Sequence, residues 1–205
     1  LDARIRYPDP RGVDMPTFTV GQLNPSTWDA FAELVERNNG IFGGCWCIGF
    51  HAERDQRGVS YRDLKRERVF SDRAHAAMVF DEDGLAQGWC QYGSAEELPS
   101  IKHRRAYESD APPLPDWRIT CFWVDSKHRG QGIARLALEG ALQQIAERGG
   151  GLVEAIPEVT EGRVAHGRFL FSTTVELFED YGFERVRQVG KHAWIVSRTI
   201  DATPL

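Results

Sequence analysis

Apolar and polar positions alternate along residues 17–23 (TFTVGQL), the period of a strand with one buried face. After Pro25, Ser26 and Thr27, the residues Trp28, Phe31, Leu34 and Val35 recur at helical spacing, which predicts a helix that Asn39 and Gly40 end. The apolar stretch 41–51 (IFGGCWCIGFH) is broken by glycines and reads as an ordered loop or short turn, followed by a polar amphipathic helix over 61–71. Two strands around Asp83 and Gly84 make residues 74–94 a hairpin. The connection 95–116 is too long for an ordinary turn, which predicts a functional loop or a short helix of its own. Residues 117–125 read as a buried strand. The strongest helix is QGIARLALEGALQQIAERGG, with an apolar stripe of Ile133, Leu136, Ala137, Leu142 and Ile145. GLVEAIPE is another strand, 172–181 a short helix ended by Gly182, and FERVRQ and HAWIVSRTI two final strands. This order predicts an α/β layered domain without an internal repeat.

Length and composition narrow the class. The 205 residues, 41% hydrophobic and 27% charged, predict one compact globular domain over 17–205, preceded by an arm, 1–16, that holds three prolines and little periodicity. A net charge of -5 argues against a surface that grips nucleic acid through its phosphates. No apolar run reaches about 18 residues and the amino terminus lacks the stages of a signal peptide, so no membrane partner is expected and the chain reads as cytosolic. Four cysteines are too few to staple such a fold, and free thiols in a reducing compartment are the expectation.

The segment CFWVDSKHRGQGIARLALEGAL carries a strand through a turn containing Gly130 and Gly132 directly into the long helix. Such a turn leaves backbone N–H groups unpaired and facing outward, backed by the positive end of the helix dipole, which suits phosphate oxygens. Missing Cβ atoms let a phosphate approach closely. The same glycines equally serve a plain tight connection that needs their φ angles. The turn has neither GxxxxGK[ST] nor GxGxxG, so the P-loop and dinucleotide readings lose their main support. It resembles the acetyl-CoA signature [QR]xxGx[GA] of the GNAT superfamily of N-acetyltransferases, met by Arg129, Gly130, Gln131, Gly132, Ile133 and Ala134. The strand before it, the long helix, GLVEAIP and the Gly182-Phe183 pair before the last strands fall in the family's order. The combination of GGCWC at 43–47, GWCQ at 88–91, CFWV at 121–124, VEAIPE at 153–158 and FEDYGF at 178–183 is similar to a bacterial GNAT subgroup whose acceptors are unassigned. The resemblance therefore names the donor better than the acceptor.

The resemblance implies a mixed, mostly antiparallel twisted sheet flanked by helices on both faces, and transfer from acetyl-CoA to a primary amine of a small molecule or peptide by direct attack. It implies that the pantetheine pairs with the backbone of Phe122, Trp123 and Val124 where that strand splays from GLVEAIP. The N–H groups of Arg129, Gly130, Gln131, Gly132, Ile133 and Ala134 would hold the pyrophosphate. A strand N–H near Phe122 would stabilise the oxyanion that develops on the thioester carbonyl, a contribution of ~3 kcal/mol in such sites. Direct transfer also needs a base and an acid. Many family members have a tyrosine four residues before the glycine of the GF pair; here that residue is Phe178. Tyr181, directly before Gly182, reads as packing or as the acid, with water, Ser172 or Thr173 as the other donors. Glu154 interrupts an apolar strand beside the expected cleft, where burial raises a carboxyl's pKa, and is the candidate base; an ion pair or a solvent-facing position is the plain alternative. Asp125 and Glu158 read as capping or surface groups, His128 as cofactor contact or solvent-facing, and His166 as a loop residue within reach of the acceptor.

Cys45, Cys47 and His51 form CxCx3H, but structural zinc takes four ligands and no second pair is present, so no metal is expected. The family's loop after the first helix lies over the acceptor pocket, which makes Cys45 and Cys47 acceptor-lining or redox-sensitive thiols, or else small packed hydrophobes. Cys90 and Cys121 belong to strands and read as core. Trp46, Trp89, Trp117, Trp123, Tyr92 and Phe50 supply either core packing or an aromatic cage for a cationic amine. The run Lys102, His103, Arg104, Arg105 reads as a solvated face or as a contact to an anionic acceptor group or the CoA 3′-phosphate. Two rival readings stand beside the enzyme: a non-catalytic CoA-binding or sensor domain, motivated by Phe178, and an acyltransferase with another acyl donor or an aminoglycoside-type acceptor, for which Glu96, Glu97, Glu108 and Asp110 would supply carboxylates. A homodimer stays open.

Overall fold

The computed structural model describes residues 4–5, 17–110, 113–162 and 170–204. Most of the 1–16 arm, and His166, lie outside the described residues. Among the described residues eight strands form one sheet: β1 (Arg4–Ile5), β2 (Phe18–Gln22), β3 (His75–Phe80), β4 (Ala86–Ser94), β5 (Trp117–Val124), β6 (Gly151–Ala155), β7 (Glu184–Gln188) and β8 (Trp194–Ile200), in the order β1-β2-β3-β4-β5-β6-β8-β7. Every neighbouring pair is antiparallel except β5 with β6. The helices are α1 (Trp28–Arg37), α2 (Ile41–Gly44), α3 (Tyr61–Phe70), α4 (Arg104–Glu108), α5 (Ile133–Glu147) and α6 (Val175–Glu179). None of the described helices is long and apolar enough to cross a membrane.

The period-two pattern of β3 sorts its side chains between two cores. Ala77 and Val79 pack with Leu136, Ala137, Ala141 and Ile145 of α5, while Ala76 and Met78 pack with Trp28, Phe31, Leu34 and Val35 of α1. Phe31, Leu34 and Val35 are wholly buried, each stabilising the fold by about 2 kcal/mol. On the other face Gly140 lets α5 close on β2, since a Cβ there would lie 2.4 Å from Val20 Cγ1. The mixed sheet with helices on both faces matches the architecture expected from the sequence.

Two local features shape the centre. Gln91 pairs with Cys121 but Tyr92 pairs with Ile119, so Thr120 is an extra residue that bulges β5 and turns Phe122 toward the α5 face and Cys121 toward the α1 face. β6 pairs with β5 only from Trp117 to Ile119, opposite Val153 to Ala155, and beyond that point the strands part. The predicted strand 151–158 thus stops at Ala155, because Pro157 has no N–H to continue a ladder and Glu158 instead bridges to Thr174 and Ala193. The helix predicted over 172–181 is shorter for a similar local reason: Thr173 sits at φ +55° and the Thr174 hydroxyl accepts from the Leu177 amide, so α6 begins only at Val175.

Candidate active site

Asp125 ends β5 and organises the turn that follows. Its Oδ1 accepts from the Lys127 amide at 3.0 Å, and its Oδ2 faces Arg37 Nε at 3.4 Å and Asn38 Nδ2 at 3.3 Å. Burial opposes the charge on this carboxyl, yet these donors outweigh it and hold the pKa below the usual carboxylate range. Gly130 and Gly132 follow at φ +77° and +82°, and a Cβ on either would meet nothing within 4 Å. Glycine is required there by backbone conformation, and the space outside is open. No side chain caps the first turn of α5, so its N–H groups face that space unclaimed by a cap.

The open space is a cleft of about 360 Å³ lined by Phe122, Trp123, Val124, Arg129, Gly130, Gly132, Ile133 and Ala134, together with Phe42, Arg135, Leu170, Thr173 and Leu177. Of the residues expected to hold a cofactor only Gln131 does not line it; its Nε2 reaches back toward the Lys127 carbonyl at 3.5 Å. His128 sets its ring edge against Phe18 and does not line the cleft. Phe178, at the position where the family carries tyrosine, is wholly buried with its ring perpendicular to that of Phe122. The Phe122 amide donates to the carbonyl of Phe171 at 2.6 Å. Phe171 is held over the opening by ring contacts with Phe42 and Phe50 and by Lys102 Nζ, 4.8 Å from its ring centroid.

On the α1 side the cleft adjoins a cavity of about 860 Å³, sharing Phe42, Trp123 and Arg129 with it. Cys45, Cys47, Cys121, Phe50 and Phe171 line this cavity, and its charged residues are Arg54, Asp55, Lys102 and Arg129. The acidic residues considered for an aminoglycoside-type acceptor do not line it. Glu97 bonds His75 and the Ser94 amide, Glu108 pairs with Arg104, Asp110 lies 3.9 Å from Arg187, and Glu96 stands on a separate cavity beside Arg148. Of the aromatic residues, Trp123 and Phe50 reach the cavity, whereas Trp89 and Tyr92 are core and Trp46 stacks on Trp28.

A third space, of about 20 Å³ or room for about one water, lies where β5 and β6 part. Glu154, Thr120, Arg118, Lys102 and Ser172 line it, and it shares Phe50, Ile101 and Lys102 with the larger cavity. Glu154 is buried rather than solvent-facing; its Oε2 accepts from the Tyr107 hydroxyl at 3.2 Å and its Oε1 lies 4.0 Å from Arg118 Nε. Burial raises its pKa, while Arg118 and the Tyr107 hydroxyl pull it partly back. Tyr181 is elsewhere. Its hydroxyl reaches the Arg135 carbonyl at 3.4 Å and Glu139 at 3.5 Å, and it lines none of the three spaces, so the fold does not bring Tyr181 and Glu154 together. The seating of α6 against α5 decides this, and nothing in the local sequence states it.

Ser172 and Thr173 fall on opposite sides, Ser172 in the small chamber and Thr173 in the cleft. Lys102 Nζ bonds Glu158 at 2.7 Å and Ser172 at 3.0 Å, so this member of the basic run turns inward and Glu158 is its partner, not a free surface group. Tyr107 and Arg118 are site residues that the sequence reading missed. Arg118 carried a signal, since it interrupts its apolar strand as Glu154 does, and the two are register partners. His51 bonds the Glu97 carbonyl through Nδ1 at 3.0 Å. Among the described residues no three His, Cys, Asp or Glu side chains converge to hold a metal ion, and all four cysteines are free.

The model of the acetyltransferase (GNAT) family matches residues 48–183. Among solved structures the fold is similar to the histone acetyltransferase HPA2 and related acetyltransferase of Corynebacterium glutamicum ATCC 13032, with TM-score 0.51 and 16% identity over 93% of this chain and 98% of that one. It is similar to the GNAT domain of S. lividans PAT, with TM-score 0.53 and 14% identity over 92% of each chain. It is also similar to yncA of Salmonella typhimurium, solved with its cofactor acetyl-CoA, with TM-score 0.51 and 13% identity over 92% of this chain and 96% of that one. At these identities the likeness is one of fold. No curated protein matches this chain.

Proposed function

Since the chain belongs to the GNAT acetyltransferase family, we propose that it moves an acetyl group from acetyl-CoA to a primary amine of a small molecule or peptide. The observation that carries this reading is the junction of the two spaces. A cleft floored by the glycine turn and β5 opens, at Phe42, Trp123 and Arg129, into a separate aromatic-walled cavity. Two compartments that meet at Trp123, next to Phe122, suit a donor and an acceptor bound side by side.

Acetyl-CoA supplies an activated thioester. Gly130, Gly132 and the first-turn amides of α5 hold its diphosphate, where the helix dipole favours negative charge. The Phe122 amide, once released from the Phe171 carbonyl, donates to the thioester oxygen; a donor of this kind is worth ~3 kcal/mol of barrier. Glu154 in its ionised form takes the amine proton through the one-water chamber it shares with Lys102 and Ser172. General-base help of this sort contributes roughly 10²–10⁴-fold. Phe178 has no proton to give, and Thr173, which lines the cleft, supplies the hydroxyl for the departing thiolate. The cavity's mixed charge, with Asp55 the one acidic residue among the described residues that line it, favours an acceptor with few positive charges over a polycationic one.

The test is a panel of primary amines incubated with the protein and acetyl-CoA, with release of free CoA thiol as readout. Amine-dependent thiol release is expected. A second reading, a CoA-binding module without turnover, is favoured by Phe178 and by the occupied Phe122 amide. It would be supported by CoA binding in calorimetry with no thiol release from any amine.

A further inference from the structure

We propose that the small chamber between β5 and β6 is a bound-water site held by Thr120, Arg118 and Glu154, and that the buried Lys65 and Gln91 set the direction in which the Thr120 hydroxyl meets that water. The chamber, of about 20 Å³, has room for about one water, and all three holding residues line it. Each brings an atom that the rest of the protein leaves over. Arg118 Nε is buried with no hydrogen-bond partner, although Nη1 of the same guanidinium donates to the Leu98 carbonyl at 2.9 Å. Glu154 Oε1 lies 4.0 Å from that Nε, too far for a hydrogen bond, while Oε2 is taken by the Tyr107 hydroxyl. Among the described residues the Thr120 hydroxyl makes one hydrogen bond, which its oxygen accepts, so its own proton has no acceptor there. A water that accepts from Thr120 and Arg118 and donates to Oε1 answers all three, and three partners is the usual number for a buried water.

The direction of the Thr120 hydroxyl is fixed from behind. Lys65 of α3, Gln91 of β4 and Thr120 of β5 are all buried and stand in line. Lys65 Nζ donates to Gln91 Oε1 at 2.9 Å, and Gln91 Nε2 donates to Thr120 Oγ1 at 3.2 Å. A lysine nitrogen offers N–H in either protonation state, and of the two ends of a carboxamide only the oxygen accepts it. The amide NH₂ of Gln91 is therefore turned to Thr120, where it occupies a lone pair of the hydroxyl and leaves the proton for the chamber. The bulge completes the aim. Thr120 has no partner on β4, so its side chain is released from the alternation that sends Cys121 and Phe122 to opposite faces. Burying a lysine is costly where an apolar chain would pack. What Lys65 secures is the orientation of one amide and, through it, of one hydroxyl.

The water then points a hydrogen at Glu154, which favours the ionised carboxylate. Arg118 from β5, Tyr107 from α4 and Arg187 from β7 act on it in the same direction, and Lys102, paired with Glu158, lines the chamber as well. The water adds to the field those groups set. Its part in turnover rests on the acetyl-transfer reading: an amine N–H reaching the chamber replaces the Arg118 N–H on the water. That N–H bond breaks as a water O–H bond forms, and another hydrogen of the water passes to Oε1.

A crystal structure of the unaltered chain should show one water within hydrogen-bond distance of Thr120 Oγ1, Arg118 Nε and Glu154 Oε1; a dry chamber would overturn the proposal. The second readout is the titration of the Glu154 carboxyl by ¹³C NMR, its signal assigned by its loss in Glu154→Gln. Thr120→Val should raise the midpoint by about half a pH unit, because the water loses the donor that orients it. Thr120→Ser, which keeps the hydroxyl, should restore it. An unmoved midpoint in Thr120→Val, or an equal shift in Thr120→Ser, would remove the hydroxyl from the site. Lys65→Met should also raise the midpoint, and by less when Gln91→Met is already present; equal shifts in the two backgrounds would mean that Lys65 acts by its charge and not through Gln91. If Lys65→Met fails to fold, Gln91→Met alone should shift the midpoint upward, and no shift would break the line. None of these measurements needs turnover, so a chain that released no thiol with any amine would sink the acetyl-transfer reading and leave the water site to be judged by them.

Discussion

The Phe122 amide donates to the Phe171 carbonyl at 2.6 Å, across the opening where β5 has left β6. The amide that we propose polarises the thioester is therefore already engaged, and a ligand that uses it must compete with the chain's own backbone. The bond is worth about 1 kcal/mol net and the ring contacts that anchor Phe171 about as much again. Phe171→Ala keeps the carbonyl but removes the anchors on Phe42, Phe50 and Lys102. CoA should then bind about fivefold more tightly in calorimetry, because less of its binding energy goes into displacing the segment. Weaker binding would mean that the Phe171 ring is a wall of the site and not a competitor for it.

Glu154 must be ionised to accept a proton, and burial raises its pKa, so the rate should fall on the acid side at a pH above the ordinary carboxylate range. Glu154→Gln should cost roughly 10²-fold in kcat and remove that limb. Tyr107→Phe makes a sharper test. Its hydroxyl favours the charged carboxylate, so its loss should move the limb to higher pH while the plateau rate stays close to that of the unaltered protein. Unchanged pH–rate profiles in both variants would remove Glu154 from the chemistry.

Gly132 and Gly149 both hold positive φ, at +82° and +106°, and a Cβ on either meets nothing within 4 Å, but they flank opposite ends of α5. Alanine in a left-handed conformation costs about 1–2 kcal/mol, or roughly 2–8 °C of Tm for a chain of this size. Gly132→Ala and Gly149→Ala should both lower Tm. Only Gly132→Ala should also weaken CoA, by about tenfold, since its methyl group enters the space given to phosphate. Equal CoA affinity in the two variants would argue against a phosphate at this turn.

His51 should make the fold acid-sensitive. Burial foremost, with Lys65 and Arg68 nearby, lowers its pKa from 6.5 to about 2, so the folded protein keeps it neutral with Nδ1 toward the Glu97 carbonyl. Below about pH 6.5 the unfolded chain binds a proton that the folded one does not, and stability falls with pH at up to ~1.4 kcal/mol per unit. This contribution is fully present above 6.5 and is lost on the way down toward 2. His51→Gln can still donate to the carbonyl but does not titrate, so its urea midpoints at pH 7 and 5.5 should differ less than those of the unaltered chain. Parallel losses in the two proteins would assign the acid sensitivity to other groups.

The fold was legible because its signals are local: the stripe of α5, the alternation of β3 and the glycines at the head of α5 each lie within a few residues of one another. Glu154 was conspicuous as the one charge in an apolar strand. What the sequence concealed depends on distant partners. Lys102 meets Glu158 across fifty-six positions of chain. The Phe122 amide is claimed by a carbonyl, which no side-chain pattern can announce, and Cys47 shares a cavity wall with Cys121 only because its loop folds over β5. The pattern around Gly182 likewise gave Tyr181 a choice of packing or chemistry that only the seating of α6 against α5 addresses.

Where β5 and β6 diverge, the groups that would grip a donor belong to the main chain, and every amino acid brings the same amide. Such a grip is indifferent to most replacements, whereas the cavity walls at Phe42, Phe50, Ile101 and Lys102 are made of side chains. Replacements in the two loops that carry those side chains would therefore change what fits the cavity while leaving the amides that would hold a donor in place.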